Sequence, residues 1–582
     1  MEAKFDPILV EVVKHELVAV AEEMAIAISK TGRSAMVKMG DFGVAICDAR
    51  GRVMGPGYAS PFAMVNFIEM MRQLYAKWEG TFEPGDIVIS NDPFAGAGHM
   101  PDIAVVAPVF WQGRLSAFTI VYSHHTDIGG RFAGGISSQA TSSYEEGIRI
   151  PTVKVCRGGV RNEALMATLM ANVRASEDFL GDLEAKMSGC WRGEKGIIAL
   201  LDKYGAEGLE SCGRYLDDYS ERVARDTIRA IPDGQYVAED YFDDDGFGRA
   251  VKLPLKVTLI VEGDRLKLDF AGTAPQALGA INVPLGMSKA MAVGALKMIV
   301  GPEMMINEGY LRPIQINVPS GTLLNPEFPR SVGGRAPLMF RVSDLVLRAL
   351  ALALPDRVPV TSEGGDVLHF AGKRADGTDF ALMDIFSGGW GARPRKDGID
   401  GVMPMIIGNY ATIPAELIER EYPIVVEAFG LVPDSDGAGK YRGSLGVYRQ
   451  WRFLRAGQVM VRTTRPGRAS EGLAGGRSGK IAANVLNPEA GSRQLPQQTH
   501  LHLEVNPGDV LYHATPGSGG HGHPYERSTQ MVLEDVRDEK VSLTRALADY
   551  GVVIDSKGIS VDEAATRAKR DALRNGSVRE HA

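Results

Sequence analysis

Much that would place a chain in a familiar class is missing from this one. Its 582 residues contain no apolar run near the roughly 20 residues that a membrane-crossing helix needs. The first residues, MEAKFDPILVEVV, lack the basic-then-apolar layout of a secretory leader. The four cysteines (Cys47, Cys156, Cys190 and Cys212) are far apart and include no C-x-x-C pair. That spacing suits neither a zinc ribbon nor a disulfide scaffold, and the expectation is reduced thiols in a cytoplasmic protein. Positive charge is not in excess: the net charge of −8 argues against a nucleic-acid surface and for a small-molecule or protein partner. There is no G-x-S-x-G elbow and no H-E-x-x-H helix. The run GGRSGK at 475–480 fails as a phosphate loop, because Ala474 stands where glycine is required and Ile481 where a hydroxyl is required. It reads as a tight turn.

What remains is ordinary for a soluble enzyme: 45% apolar and 23% charged residues. The length exceeds one compact core, so several domains are expected. The 68 glycines cluster without a fixed period, which excludes a repeat array and indicates tight turns with close backbone approach.

Apolar spacing through Leu9, Val12, Val13, Leu17 and Val20 predicts a helix over 7–30, stopped by Thr31-Gly32. Two strands follow around the turn 48–51, with Asp41 at the start of the first, and then a helix over 62–78. Two strands, 102–110 and 115–124, flank the turn Trp111-Gln112-Gly113-Arg114. Residues 160–230 read as mostly helical. Strands are expected over 253–261 and 266–270, helices over 288–300 and 341–354, and a charged helix over 561–574. The fold class is therefore α+β and multi-domain, with mixed sheets, helices and a β-rich, glycine-rich last third. Soft boundaries near 235 and 380 divide it into an N-terminal metal-site domain (1–235), a central α/β domain (236–380) and a β-rich C-terminal domain with a terminal helix (381–582).

The richest chemistry lies in NDPFAGAGHMPDIAVVAPVFWQGRLSAFTIVYSHHTDIGG, residues 91–130. His99 and Asp102 stand at one end of a hairpin and His124 at the other. Two imidazoles and a carboxylate are a common ligand set for a catalytic metal with an open position. Pro101 and the glycines before it rule out a helical turn, so His99 and Asp102 are delivered by a loop. A three-residue loop ending at Gly113 would face Phe110 with Arg114 and His124 with Met100, diagonal to Asp102 on one face. A slip of one residue would turn His124 away. Asp41 is a candidate fourth ligand or catalytic base. His125 and Asp127 are further catalytic candidates, Asp127 as the group that orients a ligand histidine. His521 and His523, in ATPGSGGHGHPYER, and the arginines of SGGWGARPRKDG read as parts of glycine-shaped turns.

The chain resembles the hydantoinase B/5-oxoprolinase family, which also includes subunits of acetone and acetophenone carboxylases. The likeness rests on NDPFAGAGHMPDIAVVAPVF and HHTDIGG. It extends through DFAGTAPQALGAINVP, INEGYLRPIQINVPSGTLLNP, SGGWGARPRKDG, PDSDGAGKYRGSLGVYR, TPGSGGHGHP and YGVVI, in one order along nearly the whole chain. The resemblance implies a metal held by His99, Asp102 and His124, with zinc and manganese both open, and an Asp-Phe step matched by Asp41-Phe42. It also implies a separate hydantoinase A-like subunit that binds the ATP, in a heterotetramer or larger assembly. Two segments depart from the family pattern. A His-x-Pro-x-His stretch of many amide-cleaving members reads Ala59-Ser-Pro61-Phe-Ala63, and a G-G-N-x-x-T segment reads Gly333-Gly-Arg335-Ala-Pro-Leu338. Both bear on substrate choice. The activity expected is ATP-dependent hydrolysis of a hydantoin, lactam or 5-oxoproline-like ring. A ketone carboxylase subunit and a non-catalytic scaffold for the ATP-binding chain are the alternatives.

Overall fold

The computed structural model describes residues 7–57, 61–136, 139–407, 410–489 and 491–579. The chain is α+β and forms two compact units. One comprises residues 1–349, 375–383 and 406–413; the other comprises 350–374, 384–405 and 414–582. The expected central segment, 236–380, is thus shared between them, with most of it in the first. Among the described residues no helix is long and apolar enough to cross a membrane.

The first unit is built on a seven-stranded sheet of order β2-β1-β5-β4-β3-β6-β7. Its strands are β1 (Phe42–Asp48), β2 (Val53–Pro56), β3 (Ile87–Ser90), β4 (Asp102–Trp111), β5 (Arg114–His124), β6 (Val153–Arg157) and β7 (Val160–Arg161), and every pairing is antiparallel. Side chains alternate across the pleat, so each strand offers one set to each face. Ile103, Val105, Ala107, Val109 and Val121 join the core cluster made with helices α1 (Pro7–Thr31) and α3 (Ser176–Arg229). Helix α1 comes close to α3 because α3 presents glycines there. A Cβ at Gly189 would lie 2.7 Å from Ile28, and one at Gly193 would lie 2.5 Å from Met24. The opposite set, including Phe118 and Tyr122, meets helix α2 (Pro61–Trp78) through edge-on rings: Phe67 on Tyr122 and Tyr75 on Phe118, each pair 6.2 Å apart.

A second sheet in this unit has the order β11-β10-β9-β8. It contains β8 (Gly234–Asp244), β9 (Ala250–Glu262), β10 (Arg265–Asp269) and β11 (Ile314–Asn317), and β10 and β11 run parallel. The sequence reading missed β8, whose many polar positions hide its alternation. Helices α4 (Leu285–Lys297) and α5 (Ala336–Ala353) complete the elements near the site.

The second unit holds the expected short strands and glycine-rich turns. Strands Asp366–Lys373, Gly457–Arg462 and His500–Val505 pair in that order. Ile424–Val432, Gly446–Phe453, Val510–Ala514, Ala483–Leu486 and Arg493–Gln494 form a five-stranded sheet. Three glycine-rich segments stack backbone against backbone beside it. A Cβ at Gly443 would lie 2.0 Å from the Ser518 carbonyl oxygen, and one at Gly476 would lie 2.1 Å from that of Gly520. The run at 475–480 is therefore a packing turn. His523 belongs to the same architecture: its Nδ1 accepts from Tyr525 N at 3.2 Å.

Candidate metal centre

The hairpin brings its two ends together by a route the expected loop did not include. The turn has two central residues, Gln112 (φ 49°) and Gly113 (φ 76°), and Trp111 faces Arg114. Two left-handed residues in succession suit the twist of a tight hairpin. Continued without interruption, this register would set His124 opposite Pro101 and on the wrong face. A bulge between Val109 and Phe110 leaves Ser116 unpaired and shifts the ladder by one, so that Asp102 lies directly opposite His124. The sequence-based expectation of a three-residue loop and a diagonal approach is corrected: turn and bulge together restore the parity that a two-residue turn alone would lose.

The loop before β4 is fixed from several sides. Asn91, fully buried, donates to Met100 O (2.6 Å) and Ile148 O (2.9 Å) and accepts from Ile150 N (2.5 Å). Asp92 accepts from Phe94 N at 3.0 Å and caps the short turn that follows. The loop then delivers His99, whose N–H donates to Asp102 Oδ2 at 3.2 Å, while Asp102 N donates to His99 O at 3.0 Å. Asp102 Oδ1 lies 3.2 Å from His99 Nε2. The His99 and His124 rings stand 4.9 Å apart. The two carboxylate oxygens thus have different duties: Oδ1 points at the imidazole, and Oδ2 is held by donors.

Three residues converge: His99, Asp102 and His124, all buried, each offering a ligand atom within 4.8 Å of the others. Ligand atoms ~2.0–2.2 Å from a tetrahedral zinc stand ~3.3–3.6 Å apart, so the three side chains would draw in by about an ångström to share one ion. Burial alone would raise the Asp102 carboxyl, but His99, Arg335 and His124 more than offset that and hold it well below the usual carboxylate range. The donor set, its burial and an ionised carboxylate fit a divalent ion.

The other sequence candidates lie around this cluster. Asp41 is half-buried, with its carbonyl 3.4 Å from His124 N. Because Phe42 faces Ser123, Asp41 sits beside the His124 end of β5, but it is not a member of the three-residue cluster. His125 faces the α3 side of the sheet. Its Nε2 lies 2.6 Å from Lys186 Nζ and its ring 4.7 Å from that of Phe179. Burial, helped by Lys186, keeps that imidazole far below its ordinary pKa. Asp127 accepts from Gly129 N, Gly134 N and Arg174 N, each at 2.9 Å, and from Arg174 Nη1 at 3.0 Å. Its carboxylate pins the loop after β5.

Three further residues were not singled out as site members in the sequence. Tyr122, two positions before His124 on one face of β5, has its phenol pushed well up by burial and by Asp102. Alternation along the strand was the signal for it. Arg335 donates from Nη2 to Asp102 Oδ2 at 3.1 Å. Glu146 accepts from Val332 N (2.9 Å) and Gly333 N (2.6 Å), which fixes the turn that carries Arg335. Burial pushes the Glu146 carboxyl up to about 7 against the pull of those donors. The departure at Gly333-Gly-Arg335 was the signal for Arg335, and no local pattern marks Glu146. Of the segment that departs at 59–63, Ala59 and Ser60 lie outside the described residues, and Ala63 is buried in α2.

Comparison with known proteins shows the family. The family model described as hydantoinase B/oxoprolinase matches residues 6–524. This chain belongs to that family. The caprolactamase subunit beta of Pseudomonas jessenii is 31% identical over 584 residues, covering 97% of this chain and 99% of its own. The crystal structure of the ATP-dependent caprolactamase from Pseudomonas jessenii superposes with a TM-score of 0.89 at 29% identity, over 98% of this chain and 100% of that one. A nucleotide-free acetone carboxylase structure superposes with a TM-score of 0.88 over 98% of this chain and 83% of that one. At 19% identity that second likeness shows a shared fold.

Proposed function

We propose that this chain is the metal-bearing subunit of an ATP-dependent enzyme that opens a cyclic amide, of the hydantoin, lactam or 5-oxoproline kind. A separate hydantoinase A-like subunit would bind the ATP, in a heterotetramer or larger assembly. One observation carries the reading: three buried donors from two ends of a hairpin lie within 4.8 Å of one another. The similarity to a caprolactamase subunit supports the choice of reaction.

His99, His124 and Asp102 Oδ1 are the groups that would hold the ion. The divalent ion, zinc or manganese, would supply Lewis acidity and a bound water of lowered pKa. An unactivated amide is a poor electrophile, and phosphorylation of its oxygen on the ATP side creates a leaving group. Around the ion, the His99 N–H and Arg335 keep Asp102 Oδ2 occupied, so the carboxylate presents Oδ1. Asp41, beside His124, is assigned proton transfer. His125 and Asp127 support the site from behind, through Lys186 and through the pinned loop. The test is Asp102→Ala, co-expressed with the ATP-binding chain and followed by metal content and ring opening. Wild-type ring opening by a metal-free variant would sink the reading.

A ketone carboxylase is the second reading. It is favoured by the alanines at 59 and 63, where many amide-cleaving members carry histidines. ATP turnover that requires a ketone and bicarbonate, and ignores lactams, would select it. Stoichiometric metal in the purified chain would count against a purely scaffolding role.

A further inference from the structure

Arg335 is 6% exposed and sits against the metal cluster, and one buried nitrogen of its guanidinium has no partner. Nη2 is engaged by Asp102 Oδ2 at 3.1 Å. Nε is buried and has no hydrogen-bond partner. In a guanidinium Nε–H and the Nη2 hydrogens leave along one edge, the edge that grips a carboxylate or phosphate side-on. The edge that touches the metal-ligand aspartate therefore carries an unused N–H. A buried donor left unmade is costly, and on a cation the cost is greater still.

The surroundings are built to keep that edge in place. Arg335 N donates to Val332 O at 3.2 Å, in the turn clamped by Glu146. Gly98 leaves the room: a Cβ there would come 2.8 Å from Arg335 Nη2 and 2.5 Å from Asp102 Oδ2. Asp102 is already served by the His99 ring and backbone, and Glu146 is a second carboxylate that acts on Arg335. A divalent ion and Arg335 bring three positive charges against those two carboxylates, and the surplus attracts an anion.

We infer that Arg335 is a substrate-binding residue whose Nε–Nη2 edge takes an oxyanion of the substrate, a carboxylate or phosphoryl oxygen, beside Asp102. The inference rests on the metal reading for the nature of the site and goes further by naming the charge class of its substrate. A neutral ring would reach this edge only once it carries a phosphoryl group; a ring bearing a carboxylate would reach it directly.

The test is calorimetric titration of the full-length chain, metal-loaded and metal-free, with inorganic phosphate and separately with acetate. Wild type is compared with Arg335→Met and Arg335→Lys, and metal content and melting temperature are recorded for each. The expected result, read at saturating metal because loss of the Asp102 contact lowers metal affinity by about 10-fold, is an anion affinity about 10–100-fold weaker in Arg335→Met, partly restored in Arg335→Lys. Preference for phosphate assigns the edge to a phosphorylated substrate, and preference for acetate to a carboxylate. The inference is overturned if wild type binds neither anion, or if Arg335→Met binds both as wild type does. It is also overturned if Arg335→Met loses metal and anion together, since Arg335 would then serve only to hold Asp102. A wild-type chain without metal would defeat the metal reading alone, because the anion comparison is also made on metal-free protein.

Discussion

Among the described residues, a buried histidine–aspartate arrangement occurs in each unit, and the two are arranged differently. In the second unit His513 Nδ1 lies 2.7 Å from Asn484 Oδ1, and His513 Nε2 lies 3.0 Å from Asp366 Oδ2. The other oxygen of Asp366 accepts from Thr464 N at 2.7 Å. Both ring nitrogens and both carboxylate oxygens are committed to neighbours, and the donor left over, Asn484 Nδ2, lies at the edge of the network. In the first unit His99, Asp102 and His124 bring one atom each within 4.8 Å of the others, and the arginine beside them keeps an unused donor. Residue types alone do not separate the two. What separates them is whether the polar atoms pair with each other or converge.

The sharpest test of the closed network is His513→Ala. It strips Asp366 of its imidazole inside the core, and breaking a buried pair in this way costs about 3–5 kcal/mol. Denaturant midpoints should fall accordingly while metal content stays unchanged. A stable variant that loses metal would reverse the assignment of the two regions. Asp102→Ala should act first on the metal. Loss of a ligand lowers metal affinity by more than about 100-fold, beyond what loss of a supporting partner costs. It also strips the buried Arg335 of its carboxylate, so the variant should melt below chelator-treated wild type.

The α3 side of the first unit contains a buried group whose effect is read by pH. Lys186, fully buried, donates to Ile103 O at 3.0 Å and meets His125. Burial brings it down to about 7, with Asp182 and Asp102 pulling the other way. An unfolded lysine titrates near ~10.4. Between about 7 and that value the unfolded chain holds more protons than the folded one, so stability rises with pH across the window. Below about 7 both states are protonated and the burial cost is felt in full. Lys186→Met should remove this slope, at most about 1.4 kcal/mol per pH unit for one proton. Its advantage over wild type should be greatest at the low end. Melting curves from pH 6 to 10 decide it: parallel profiles for the two proteins would show that Lys186 does not carry the shift.

How far the sequence alone reaches follows from the range of each signal. The hairpin strands were legible because alternation is local, and so was the loop that delivers His99 and Asp102, because Pro101 and its glycines are local. The pairing of Asp102 with His124 was not, since it depends on the bulge at Ser116, which has no residue signature. Arg335 lies 233 positions from Asp102, and Asp366 lies 147 from His513. No periodicity spans such distances, so the closed network went unseen and the open one lacked its arginine. His125 shows the converse. It adjoins His124 in sequence yet faces the opposite layer, because neighbours near a strand end point apart.

Two glycines of the same hairpin region bring the comparison down to single methyl groups. Gly113 has φ 76° and nothing within 4 Å of an added Cβ, so Gly113→Ala meets only the left-handed backbone penalty, about 1–2 kcal/mol. Its cost should appear in melting temperature and leave metal and anion binding intact. Gly98→Ala meets atoms instead: Asp102 Oδ2 at 2.5 Å, Met287 Cε at 2.7 Å and Arg335 Nη2 at 2.8 Å. The methionine end can swing aside, but the carboxylate–guanidinium contact must open. Opening it frees the oxygen that keeps Asp102 presenting Oδ1, so metal affinity should drop by about 10-fold, the lower end for loss of a supporting partner. Metal titrations and melts on the two variants should dissociate cleanly. Equal effects on metal binding would mean that the Arg335–Asp102 contact does not shape the centre.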